Sequence, residues 1–140
     1  MRQVIKSASP EQTIEVGRGL GAQAAQGDTI ALYGELGSGK TVLCKGIALG
    51  LQINDTITSP SFTIINEYEG RLPLFHIDLY RITGEEDFEA LGTADFLGKR
   101  GLTVIEWPER AAAVLPAESI SVSIKVEDDG SRTISIGRND

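Results

Sequence analysis

One cysteine, Cys44, and one histidine, His76, are all that the 140-residue chain offers of the residues that staple small folds or bind zinc. A lone cysteine closes no internal disulfide, and one cysteine with one histidine makes a poor zinc site. Basic residues are scarce too: 13 Lys and Arg stand against 20 Asp and Glu, for a net charge of -7. Phosphate-backbone binding needs clustered Lys and Arg, so the chain is not expected to grip nucleic acid by itself. No apolar run approaches a membrane span, and the opening "MRQVIKSASPEQT" has no apolar core of the signal-peptide kind. A cytoplasmic protein is expected. Repeats, low-complexity tracts and interdomain linkers are also missing.

What is present suits one soluble domain over residues 1–140, with 41% hydrophobic and 24% charged residues. Arg2 to Lys6 reads as a short strand. A helix follows, with Ser9 as N-cap, Pro10 in the first position and Glu11 near the positive end of the dipole. Ile14, Val16, Leu20, Ala24 and Ala25 supply its apolar face. Gly27 is the expected stop, while Gly17, Gly19 and Gly21 weaken the helix locally. Asp28 to Gly34 forms a buried strand, and "KTVLCKGIALGL" has helical apolar spacing. After the polar stretch Ile53 to Ser61, two strands join around Glu69-Gly70-Arg71 as a hairpin. "TGEEDFEALGTADFLGK" is helical with a break near Gly92. "GLTVIEW" is another buried strand, and Pro108 opens a short helix. Two closing strands, "SISVSIKVE" and "SRTISIG", turn at Asp128-Asp129-Gly130. The expected fold is α/β: a mixed, mostly parallel sheet flanked by helices, with an antiparallel hairpin.

The stretch between the second strand and second helix carries the chemistry. "GELGSGKT", Gly34 to Thr41, fits G-x-x-x-x-G-K-[ST] and has the strand before it and the helix after it that the motif requires. Its glycines let successive amides, over Glu35, Leu36, Gly37, Ser38, Gly39, Lys40, Thr41 and Val42, converge on phosphate oxygens. Lys40 is expected to reach the β- and γ-phosphates of a nucleotide, and the Thr41 hydroxyl to face Mg²⁺. "LFHIDLYR" places His76, Asp78 and Tyr80 on one strand face, with Phe75, Ile77 and Leu79 on the other. Beside a phosphate loop, a strand-borne Asp78 supports magnesium, whereas a single histidine reads as a structural, hydrogen-bonded residue. "TVIEWPE" delivers Glu106 at a strand's carboxyl end, where open α/β sheets bind ligands and where it can complete the magnesium shell or orient water. Trp107 packs against the nucleotide or closes the core. "TSPSF", with Thr58 and Ser59, is a γ-phosphate-sensing loop or a Ser/Pro turn. Cys44 reads as a buried small hydrophobe.

GELGSGKT, TSPSF with Glu67-Tyr68, HIDLYR and EWPE occur in the order seen in the TsaE (YjeE) family, which the chain closely resembles from Pro10 through Val104. The resemblance implies the P-loop ATPase of bacterial threonylcarbamoyl-adenosine tRNA modification. It implies phosphates held by Gly34 to Thr41, with Thr41 and Glu106 near magnesium and Asp78 in the Walker B position. It also implies a switch-like loop at Thr58 to Ser61 and Trp107 beside the nucleotide. The implied partners are the TsaD and TsaB proteins, with the transferase step on TsaD. Ser61 stands where the family usually has threonine, and Ser38 where alanine is frequent. Arg81 is the nearest arginine-finger candidate, a partner's residue being the alternative. The adenine is expected near Ser9 to Thr13 and Arg132. Without the resemblance, a small-molecule kinase and a non-catalytic nucleotide-sensing adaptor share the phosphate loop. A guanine-nucleotide switch lacks its N-K-x-D signature here.

Overall fold

The computed structural model describes residues 2–35, 37–57, 65–82 and 85–138, without the side chains of residues 85, 86 and 114. Leu36 and the whole of Thr58 to Ser61 lie outside the described residues, so the switch-loop expectation does too. In chain order the elements are β1 (Arg2–Ser7), α1 (Pro10–Gln23), β2 (Thr29–Gly34), α2 (Lys40–Gly50), β3 (Ile65–Tyr68), β4 (Leu74–Asp78), α3 (Glu85–Glu89), β5 (Leu102–Glu106), β6 (Ile120–Val126) and β7 (Arg132–Arg138). A single 3₁₀ turn covers Thr93–Asp95 after the left-handed Gly92, and two short 3₁₀ pieces joined across a kink at Ala111 cover Pro108–Val114.

The strands form one sheet in the order β1-β7-β6-β2-β5-β4-β3. β6, β2, β5 and β4 run parallel in the middle. The edges are antiparallel, through the β6–β7 and β3–β4 hairpins and the pairing of β1 with β7. The mixed sheet therefore carries both expected strand pairs, the β3–β4 hairpin and the closing β6–β7 one. Central strands are covered on both faces, which is why β5 reads Leu-Thr-Val-Ile-Glu with every residue buried rather than alternating. Leu74 of β4, Leu102 and Val104 of β5, and Ile30 and Leu32 of β2 face α2, where they pack with Leu43, Ile47 and Leu51. Phe75, Ile77, Leu79 and Ile105 face the opposite layer with Phe88 and Phe96, and the Phe75 and Phe96 rings stack 4.0 Å apart. Each such fully buried Leu, Ile or Phe stabilises by about 1.5–3 kcal/mol.

Ser9 caps α1 as expected: its hydroxyl accepts from Gln12 N at 3.2 Å, while Gln12 Oε1 accepts from Ala8 N at 2.6 Å. Two expectations for this helix change. It ends at Gln23, before Gly27, whose φ of 89° instead turns the chain into β2. Its most buried positions are Thr13, Gly17, Gly21 and Ala24, whereas Ala25 is exposed and Val16 and Leu20 are only partly buried. The glycines that lower helix propensity are what let α1 lie directly on α2. A Cβ at Gly17 would strike Leu43 O, and one at Gly21 would strike Ile47 O. Reciprocally, Gly46 faces Ile14 O and Gly50 faces Arg18 O. Backbone-to-backbone approach thus seats the helix that begins with Lys40.

Candidate nucleotide site

The site lies where the parallel strands end. β2 closes at Gly34, β4 at Asp78 and β5 at Glu106, so the loop and both carboxylates emerge on one edge of the sheet. Gly37 (φ 78°) and Gly39 (φ 110°) take backbone conformations that other residues resist, and the chain then enters α2 with no side chain capping its first turn. The uncapped amides of Lys40, Thr41 and Val42 head a positive helix end suited to phosphate. Arg132, on β7, holds the loop from behind: Nε donates to Ser38 O at 3.1 Å and Nη2 to Gly37 O at 3.4 Å. Its Nη1 donates to Gly130 O at 2.7 Å. A trans peptide points N–H and C=O in opposite directions, so pinning Ser38 O turns the Gly39 N–H toward the loop's other side.

Two buried polar atoms of the loop, Lys40 Nζ and Ser38 Oγ, have no hydrogen-bond partner among the described residues. The Lys40 ammonium, 6% exposed, rests 4.0 Å from the centroid of the Trp107 ring. Such a contact is worth about 0.5–2 kcal/mol and leaves all three ammonium donors free for phosphate oxygens. Trp107 itself is held in the left-handed region at φ 57°, ψ 49°, a conformation that costs about 1–2 kcal/mol for an ordinary residue. That kink turns its ring to Lys40 on one side and to Tyr80, 5.0 Å away, on the other.

Asp78 and Glu106 are register partners in the parallel β4–β5 pair, and Leu79 N donates to Glu106 O at 3.1 Å to close the corner. Asp78 is half-buried and accepts from Tyr80 N at 2.9 Å. Burial raises its pKa and the Glu106 charge adds to the rise; the Tyr80 amide, His76 and Lys40 oppose it without cancelling it. Two carboxylates paired in register at the strand ends offer hard oxygen donors of the kind magnesium takes.

Glu106 has a second partner that motif spacing did not show. It is 4% exposed, and its Oε2 lies 2.5 Å from Nε2 of the fully buried His76, which also meets Cys44 Sγ at 3.6 Å. Burial disfavours the imidazolium, but Cys44 and Glu106 at that nitrogen outweigh it and raise the His76 pKa well above its usual value. The ligand atoms of Cys44, His76 and Glu106 lie within 4.8 Å of one another, as in a metal site. Tetrahedral zinc would hold N and O ligands about 3.4 Å apart. The observed 2.5 Å is the spacing of a short hydrogen bond, too close for two ligands of one ion.

Beside the loop opens a cleft of about 500 Å³, bounded by Tyr33, Gly34, Ser38, Trp107, Glu109 and Lys125. Neither expected adenine contact lines it. Thr13 is buried with its hydroxyl 2.7 Å from Ser7 Oγ, and Arg132 is engaged by the loop carbonyls. Arg81 is exposed on the turn after β4.

The family model described as "Threonylcarbamoyl adenosine biosynthesis protein TsaE" matches residues 7–134. The chain belongs to the TsaE family. The Treponema pallidum TsaE, named a tRNA threonylcarbamoyladenosine biosynthesis protein, is 42% identical over 130 residues, covering 93% of this chain and 96% of that one. The Bacillus subtilis TsaE, of the same name, is 39% identical, covering 92% of this chain and 81% of its own length. The crystal structure of Bacillus subtilis YdiB superimposes with a TM-score of 0.88 at 33% identity, over 100% of this chain and 87% of that one. The fold described above is thus shared with that structure.

Proposed function

We propose that this TsaE-family chain is a cytoplasmic, Mg-dependent ATPase that serves threonylcarbamoylation of adenosine in tRNA, acting with TsaD and TsaB. The observation that carries the reading is the convergence of an uncapped helix start and an unpartnered Lys40 ammonium with Asp78 and Glu106 at one strand edge. Phosphoryl transfer to water is chiefly positioning and charge neutralisation, which is what such a set supplies. The amides of Glu35 to Val42 and the Lys40 ammonium hold phosphates. Thr41, Asp78 and Glu106 hold magnesium, which when bound neutralises charge on the transferring phosphoryl group. Glu106 also orients water. Trp107 flanks the nucleotide, and the 500 Å³ cleft beside it has room for the base. Thr58 and Ser59 sense the γ-phosphate. With a net charge of -7, the chain leaves the tRNA to its partners.

With γ-labelled ATP and Mg²⁺, the isolated chain is expected to release phosphate slowly to water, and faster with TsaD and TsaB present. Lys40→Ala is expected to weaken ATP binding by at least about tenfold, the loss of one charge-assisted phosphate contact. Label recovered on a small-molecule acceptor would favour a kinase. Turnover unchanged by the partners, or GTP bound as well as ATP, would contradict the reading.

A further inference from the structure

The family motif contains a histidine for which the ATPase chemistry above has no use. We infer that His76 is a positioning residue for Glu106, fixing one carboxylate oxygen so that the other is presented to water and metal; the inference rests on the ATPase reading. His76 and Glu106 lie on adjacent parallel strands two residues apart in register, on the same sheet face, the face that α2 covers. Their side chains therefore meet diagonally beneath the phosphate loop. An ionised carboxylate only accepts, so Nε2–H donates to Oε2 across the 2.5 Å separation. That bond removes the torsional freedom a glutamate has at the end of a strand.

The histidine is in turn held by the phosphate-binding helix. Cys44 stands one turn after Lys40 on α2 and places Sγ 3.6 Å from the same Nε2. Both of the ring's hydrogen-bond contacts among the described residues are made through Nε2; buried Nδ1 has no partner among them. A histidine serving only to fill the core would have no reason to direct its shorter contact at the site's carboxylate. The chain of contacts runs from α2 through Cys44 and His76 to Glu106, linking the element that holds phosphate to the group that orients water.

The chain has one histidine, so its imidazole gives one unambiguous set of ¹⁵N resonances. We expect a protonated Nε2 whose proton shifts on Glu106→Gln. An Nδ1–H tautomer with bare Nε2 would overturn the inference whatever the kinetics show. In single-turnover hydrolysis, His76→Leu is expected to slow the step by about 10–100-fold, the usual cost of losing a group that orients a catalytic ligand. Its ATP affinity should stay within about threefold, because the interaction acts on turnover and not on ground-state binding. His76→Gln, which retains a donor near the Nε2 position, should restore most of the rate. Equal losses in both variants, or losses that follow ATP affinity, would show a structural role only. Unaltered hydrolysis in His76→Leu overturns the inference alone. A wild-type chain that binds ATP without hydrolysing it, even with partners, overturns the ATPase reading and this inference with it.

Discussion

Asp78 sits where its charge is least comfortable without a cation. Burial and Glu106 raise its pKa. Its folded value therefore lies above its unfolded one, so a favourable contribution is full below the unfolded value and is lost as pH rises through the folded one. Near neutral pH the ionised Asp78 works against folding of the unliganded chain. Asp78→Asn keeps an acceptor for the Tyr80 amide and removes the charge. We expect the unliganded variant to melt higher than the wild type near neutral pH, with the gap closing in acid, while Mg-dependent ATP hydrolysis is lost. An equal or lower Tm near neutral pH would show that the carboxylate is not held under strain. Much at this scale was legible beforehand. GELGSGKT announced Lys40 and Thr41, and the alternation in LFHID put His76 and Asp78 on one face. The His76–Glu106 bond was not legible, because it depends on the β4–β5 register, which neither strand's own pattern contains. Arg132 was singled out, but its grip on Ser38 spans 94 positions and no local signal encodes it.

Among the elements, α1 and α2 show how propensity is overridden by packing. Glycines inside a helix cost about 0.5–1 kcal/mol each relative to alanine, so the sequence alone made α1 look weak. Gly17 and Gly21 instead bring α1 against the backbone of α2, and Gly19, with open space around it, does not. Gly19→Ala should stabilise the chain by roughly 0.5–1 kcal/mol. Gly21→Ala, whose methyl meets Ile47 O, should destabilise it by about 1–3 kcal/mol or more. Urea unfolding of the two variants measures both. Similar effects at the two positions would mean that the helices are not in backbone contact. Because α2 begins at Lys40, loosening this seat should also weaken ATP binding in the Gly21 variant. The strands were more legible than the helix ends. Buried β5 and the closing hairpin were plain from hydrophobic runs and the Asp-Asp-Gly turn, whereas α1 ends before Gly27, where Arg71 Nη2, distant in sequence, donates to the carbonyls of Gly21, Ala22 and Ala24.

At the scale of the whole molecule, the sheet order brings a phosphate-type loop, an acidic pair and one aromatic wall to a single edge. The net charge of -7 fits the proposed function, in which partner proteins hold the tRNA. The central claim is that hydrolysis, and not nucleotide binding alone, drives repeated tRNA modification. It is tested most directly by counting threonylcarbamoyl-adenosine formed per enzyme in a reconstituted reaction with TsaD, TsaB and either the wild-type chain or Glu106→Ala. The account predicts many cycles with the wild type, and no more than about one with a Glu106→Ala variant that still binds ATP, since a group acting on turnover leaves binding intact. Sustained cycling by a variant that binds ATP without hydrolysing it would contradict the account and leave the chain a nucleotide-sensing adaptor.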